Sequence, residues 1–265
     1  GPEVLIFLQG LKVIKYTGLD KEVYFSCPRE NNIPGELEDG EVIISEQSGV
    51  PSRYYRWSKT EPIPAETSKE LPRNWKDLTH GQIAMAILLD KEGYGDKSSE
   101  NKIRVYFPTE EFSPVRILIH GNFRTDSTRK RINHEESYNK WLLGLSGPLL
   151  KEKIIRGVLS NSPNDEGKIL DYLEPRIDIE KMAGIEKEIW LSIHKHLTDY
   201  PFIRVAKSQK KVSPQRICLP PDLIKHSLKD LYPQDCDIEG RYIPENSFFS
   251  SHPRTNALLA FGAEK

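Results

Sequence analysis

Residues 83–90 read IAMAILLD, with seven of eight positions apolar. A run this short and this apolar fits a strand covered on both faces, and so a place in the middle of a sheet. Its neighbours supply the rest of that sheet. LKVIKY (11–16) and KEVYFSCP (21–28) flank the turn signal Thr17-Gly18-Leu19-Asp20 and predict a hairpin. EVIISEQ (41–47) and SRYYRWSKT (52–60) predict two further strands, split by Ser48-Gly49-Val50-Pro51. KIRVYFP (102–108) and VRILIHG (115–121) complete the set. TEPIPAETSKELPRNWKD, rich in Pro and Glu, reads as a linker. VLIFLQGL near the start is apolar on consecutive positions and reads as the tail of a helix from a preceding domain.

The second half turns helical. Asn133 and Glu136 have capping-box spacing. Tyr138, Trp141, Leu142, Leu145 and Leu149 then recur at helical spacing and form one apolar face. Gly147-Pro148 should kink or split that helix before LKEKIIRGVLS. The loop Asn161–Gly167 is the expected boundary between a domain at 3–162 and a module at 168–265. GIEKEIWLSIHKHL (184–197) is a second amphipathic helix, and the proline-rich remainder reads as short strands and turns. The fold class is therefore α/β (α+β): a mixed sheet with helices, followed by a smaller helical and mixed module.

Composition narrows the function. Lys and Arg number 38 against 39 Asp and Glu, which argues against a nucleic-acid coat but leaves room for a local basic patch. Cys27, Cys218 and Cys236 show no metal-binding spacing, and an odd count of scattered cysteines fits a reducing, cytoplasmic compartment. No apolar run approaches the ~18 residues of a membrane span. Gly1-Pro2 matches the remnant of a protease cut, so further chain upstream of Glu3 is expected.

The richest chemistry lies between Lys102 and Asn139. Arg124, Arg129, Lys130 and Arg131 gather just where the strand 115–121 ends. An arginine fork can donate two bonds to one phosphate, so the loop is a candidate anion site. The alternative is a solvated loop paired with Glu135, Glu136 and nearby acids. Other motifs carry less. Glu70–Asn74 and Glu135–Asn139 both fit E-x-x-x-N, but Pro72 breaks the helix the first would need, and the second overlaps a helix start. Asp90–Gly95 suggests a glycine-rich phosphate loop but lies between strands, as a hairpin loop would. No Walker A loop is present. His194 and His196, two apart on a helix, point to different faces and suit no shared metal. His120, ending an apolar strand, reads first as a core histidine.

Phe107-Pro108-Thr109, then Ile117-Leu118-Ile119-His120-Gly121-Asn122-Phe123-Arg124-Thr125 and Thr128-Arg129, resemble a known pattern. They look like the segment following the ATP-binding domain in sacsin-type, Hsp90-like GHKL ATPases, where a phenylalanine-proline-threonine strand end precedes an IHGPF-T-T-x-x-R block. RYYRWSKT, VLIFLQGLKVIKY and PFIRVAKSQKKVSPQRICLPP resemble flanking segments of that family. The likeness spans residues 4–225, and block 102–139 is its specific part.

The resemblance implies a transducer, or middle, domain that is not an enzyme on its own. ATP and Mg would sit on an upstream domain of the same chain, with no cofactor in this fragment. The family sends a basic residue into that pocket to meet the γ-phosphate. Arg129 holds the matching position, with Arg124, Lys130 and Arg131 as further phosphate-binding candidates. The implied role is chaperone-like or in a defence complex, with a client or a second copy as partner. Asn122 stands where many relatives have proline, and Asp126 could hold the cations inactive until nucleotide arrives. The competing reading is a nucleic-acid or protein-binding module that uses the same loop with Lys207, Lys210, Lys211 and Arg216.

Overall fold

The computed structural model describes residues 4–7, 13–18, 21–26, 39–46, 52–89, 101–161, 165–219 and 241–264. The first stretch carries α1 (Val4–Phe7), β1 (Val13–Gly18), β2 (Lys21–Ser26), β3 (Gly40–Glu46), β4 (Ser52–Pro62) and α2 (Ala65–Glu70). β5 (His80–Leu88), β6 (Lys102–Val105), β7 (Phe107–Phe112), β8 (Leu118–Gly121) and α3 (Ser137–Gly144) follow. Next come α4 (Ser146–Leu149), a π-helical turn (Leu150–Ile154), α5 (Ile155–Asn161), α6 (Lys168–Leu173) and α7 (Gly184–Leu197). β9 (Ile203–Arg204), β10 (Lys211–Val212) and α8 (His252–Ala260) close the chain. The expected mixed α/β class is what is found.

The chain divides into two compact units. Gly1–Ser113, Ile117–Ser146 and Ala183–Glu188 form the first; Pro114–Arg116, Gly147–Met182 and Ile189–Lys265 form the second. The division passes between Ser146 and Gly147, not through the 161–167 loop.

In the first unit six strands form a mixed sheet in the order β3-β4-β5-β8-β6-β7, and the β1–β2 hairpin continues it past β3. Only β6 and β8 run parallel, with Arg104 opposite His120. β5 sits centrally between β4 and β8, buried from Gly81 to Ile87. Ala84 and Ala86 face a cluster built with Val42, Ile44, Tyr54, Leu118 and the α1 side chains Leu5, Ile6 and Phe7. Within the opening apolar run, Val4–Phe7 form one helical turn, and Leu5, Ile6 and Phe7 join this sheet's core. On the other face, Gly81 leaves room for α3: a Cβ there would stand 2.5 Å from Trp141 Cζ3.

Three local expectations are corrected. The supposed linker 60–77 carries the end of β4, then α2 and a 3-10 turn at Arg73–Trp75. Trp75 packs edge-on against Tyr138 of α3, with ring centroids 5.5 Å apart. The strand 102–108 is two strands. Tyr106 takes a positive φ of 65°, and the chain reverses so that Phe107 pairs with Val105. Finally, the helix starts at Ser137 with Glu136 as its N-cap and no side-chain cap bond. Asn133 Oδ1 instead accepts from the Glu135 N–H, and its Nδ2 donates to Glu136 Oε1. The Gly147-Pro148 split is as expected: α3 ends at Gly144, Leu145 caps it, and α4 resumes at Ser146. Pro148 has no N–H to bond four residues back.

The second unit is helical with one two-stranded sheet, β9 and β10. A tight approach sits at its centre. Gly167 has an ordinary helical backbone, yet a Cβ there would overlap the Ser247 carbonyl and stand 2.8 Å from Phe248 N. That carbonyl also accepts a 2.5 Å bond from Arg254 Nη1. Gly167→Ala should therefore cost about 1–3 kcal/mol through overpacking against backbone. In a double-mutant cycle it should couple to Arg254→Lys, since both act on one carbonyl. Urea melts of the four proteins read this directly; strict additivity would rule out the shared carbonyl.

Candidate functional site

The basic loop follows β8, in the first unit, and its shape comes from backbone bonds. Asp126 N–H donates to the Arg131 carbonyl at 2.9 Å, and Thr125 bridges Ile132. The Asp126 carboxylate accepts from Thr128 Oγ1 at 2.8 Å and from the Lys130 and Arg131 amides at 3.1 and 3.5 Å. The Thr128 hydroxyl and then these backbone bonds hold the Asp126 carboxyl below its usual pKa. Asp126 thus fills the loop's own concave nest of N–H groups, a place an external anion would otherwise take. Its carboxylate bonds go to backbone amides and to the Thr128 hydroxyl. Arg129 adopts a left-handed φ of 59°, a strained choice for a residue with a side chain.

The four cations separate into two kinds. Arg124 forms a short ion pair with Glu136 and lies over the Trp75 ring, 5.6 Å from its centroid. Arg131 Nε reaches Glu110 Oε2 of β7 at 3.0 Å. Glu111, beside it, has its pKa raised by burial, with Arg131 opposing. Arg129 and Lys130 are exposed, and among the described residues no acid pairs with either. The loop therefore offers two uncommitted cations, Arg129 and Lys130, flanked by two neutralised ones.

The outer edge of β7 also serves the loop. The Glu110 N–H donates to the Lys130 carbonyl at 2.7 Å. Pro108 has no N–H to offer, so this edge presents little for strand addition.

Two residues to which the sequence analysis gave no such role hold the arrangement. One is Glu110, whose amide and carboxylate both meet the loop. The other is Asn139, 0% exposed on α3. Its Oδ1 accepts from the Arg124 N–H at 2.9 Å, and its Nδ2 donates to the Arg124 and Asn133 carbonyls, both at 2.8 Å. The available signal was an asparagine beside Tyr138 and Leu142 on the buried side of a helix, where an amide must find partners.

The remaining candidates lie elsewhere. Lys210 sits over Tyr242 at 4.1 Å, and Arg216 lies 4.9 Å from the same ring. Lys211 pairs with Glu166 at 3.0 Å. Lys207 has a positive φ of 57° and is exposed. That cluster belongs to the second unit, the basic loop to the first. His196 Nδ1 meets the Ser192 carbonyl at 2.8 Å, and His194 stacks on Phe261. His120 is buried between Phe7 and Tyr106, as a core residue. Among the described residues no cluster of three or more His, Cys, Asp or Glu could hold a metal. Cys218 carries a free thiol; Cys27, Cys236 and the Asp90–Gly95 motif lie outside the described residues.

A groove of about 420 Å³ in the second unit is lined by Arg176, Ile177, Asp178, Ile179, Asn256 and Leu259, none of them picked out by sequence. No helix among the described residues is long and apolar enough to cross a membrane. No family model, curated protein or solved structure matches this chain.

Proposed function

We propose that this chain is the transducer, or middle, part of a GHKL-type ATPase, and that Arg129 contacts a phosphate presented by an upstream ATP-binding domain. The observation that carries the proposal is the state of the loop. Arg129 and Lys130 stand exposed, with no acid paired to either among the described residues, on a backbone pinned by Asp126, Glu110 and Asn139. A preorganised cation spends little ordering entropy when the anion arrives. The backbone amides of the loop are already spent on Asp126, so side chains are what it can offer.

ATP held with Mg²⁺ on the upstream domain would supply the anion. The part of this chain is to bind it and register its presence. A guanidinium at the γ-phosphate stabilises charge there and ties the two domains together while that phosphate remains. The coupled output would be chaperone-like or defence-complex motion. Arg124, already spent on Glu136, and Arg131, on Glu110, fit this role less well than Lys130.

In the full-length protein, Arg129→Ala should lower ATP turnover by about tenfold or more while leaving the Kd for ATP nearly unchanged. Normal turnover would remove the assignment. The second reading, a nucleic-acid surface shared with residues 207–216, gains little from a cluster already engaged by Tyr242 and Glu166. Steep salt dependence of RNA or DNA binding to this chain would favour it instead.

A further inference from the structure

We infer that Asn139 is the positioning residue of the Arg129 loop: one buried amide joins both ends of the loop to α3. The inference rests on the phosphate reading above, and it names what sets the geometry of that contact. Arg124 opens the loop and Asn133 closes it. Asn139 meets the N–H and carbonyl of the first and the carbonyl of the second. The Asn133 N–H approaches the Arg124 carbonyl at 3.4 Å, so the two ends also meet each other beside the amide.

The chemistry of the side chain suits this and little else. One oxygen faces an N–H, and both hydrogens of the NH₂ face carbonyls. Turning the amide over would set donor against donor and acceptor against acceptor, so the pattern admits one orientation. Aspartate would keep the acceptor but set a carboxylate against two carbonyls. Alanine would leave the Arg124 N–H without a partner and reduce the Arg124 and Asn133 carbonyls to their 3.4 Å bonds from the Asn133 and Glu136 N–H groups.

The lever is short. From Arg124 the chain runs through the Thr125–Ile132 bridge to the Asp126 turn that carries Arg129. Beyond the bridge, the Lys130 carbonyl to Glu110 is the backbone tie to the sheet edge. Loosening the Asn139 end should let the tip sample many positions while the sheet stays folded. Trypsin supplies a direct probe, since it cuts after Arg129, Lys130 and Arg131.

The test uses this chain and the full-length protein, each as wild type and as Asn139→Ser. In this chain, cleavage at 129–131 should accelerate roughly tenfold or more, while cleavage at sites in the second unit keeps its rate. In the wild type, the Arg124 amide should exchange slowly with solvent, alongside β8, even if the variant folds poorly. In the full-length protein, kcat should fall with the KM for ATP retained. The double variant Arg129→Ala/Asn139→Ser should be no slower than Arg129→Ala alone, because the clamp acts only through Arg129. A purely structural asparagine would instead multiply the two losses.

Unchanged cleavage at the loop, or a fast-exchanging Arg124 amide, overturns the clamp whatever the turnover. A loosened loop with normal turnover upholds the clamp and removes the phosphate reading instead.

Discussion

Arg254→Ala should destabilise the second unit by about 3–5 kcal/mol, a large fraction of a domain's ordinary stability. Arg254 lies on α8 and is 6% exposed. It grips Asp171 with two parallel bonds, Nε to Oδ1 at 2.9 Å and Nη2 to Oδ2 at 2.7 Å. Asp165 takes two more, at 2.6 and 2.8 Å, and the Ser247 carbonyl a fifth. Burial works to lower the pKa of Arg254, but the hydrogen bonds and charges of Asp171 and Asp165 outweigh it and hold the guanidinium above its ordinary value.

The large effect comes from what alanine leaves behind. Asp171 is 7% exposed and would lose the guanidinium that compensates its burial in a poor solvent for ions. The intact network need not be worth as much, since desolvating three charges offsets most of their attraction. Arg254→Met combined with Asp171→Leu should therefore recover part of the loss. Arg254→Lys, which keeps the charge but not the fork, should fall between. Urea unfolding of the four proteins separates these terms. A loss below about 1 kcal/mol for Arg254→Ala would mean that Asp171 finds water or another cation.

How much of this was legible in advance depends on which physics carries the information. The central strand announced itself because burial on both faces leaves an unbroken apolar run, and β5 lies where Ile83–Asp90 put it. The β1–β2 hairpin and the separate strands β3 and β4 followed from turn residues between β-branched and aromatic runs. The reversal at Tyr106 gave no such sign. No glycine marks its positive φ. That conformation is supported by its ring against His120 and by its N–H 3.4 Å from His120 Nδ1, contacts across 14 residues.

The candidate site divides the same way. Clustered cations are a pattern along the chain, so Arg124, Arg129, Lys130 and Arg131 could be picked out. Glu136, which neutralises Arg124, was among the nearby acids the sequence offered, but Glu110 of β7, which neutralises Arg131, is brought near only by the fold. Asn133 and Glu136 do interact, but as a side-chain pair before the helix, because Asn139 holds the Asn133 carbonyl and delays the helix start to Ser137.

Lowering the pH should destabilise the first unit through His120. Its ring is 1% exposed, stacked 5.0 Å from Phe7 and edge-on to Tyr106. Burial first, and then the charges of Arg104 and Arg56, push its pKa from 6.5 down to about 4, against a hydrogen bond that the ring donates to the Arg104 backbone and that favours the proton. The folded state thus keeps His120 neutral where the unfolded chain protonates it. The unfolded state binds more protons between pH 6.5 and about 4, so stability is complete above 6.5 and falls as pH drops through that window. A shift of about 2.5 units corresponds to roughly 3 kcal/mol, levelling off below pH 4. Carboxylates elsewhere titrate nearby, so the informative quantity is the difference from His120→Gln, which keeps an acceptor for the Tyr106 amide. That variant should be weaker than wild type at pH 7.5, and the gap should close by pH 4.5. Parallel curves for the two proteins would mean that His120 takes up its proton while folded, and that the packing of Phe7 and Tyr106 around it opens more readily than their stacking indicates.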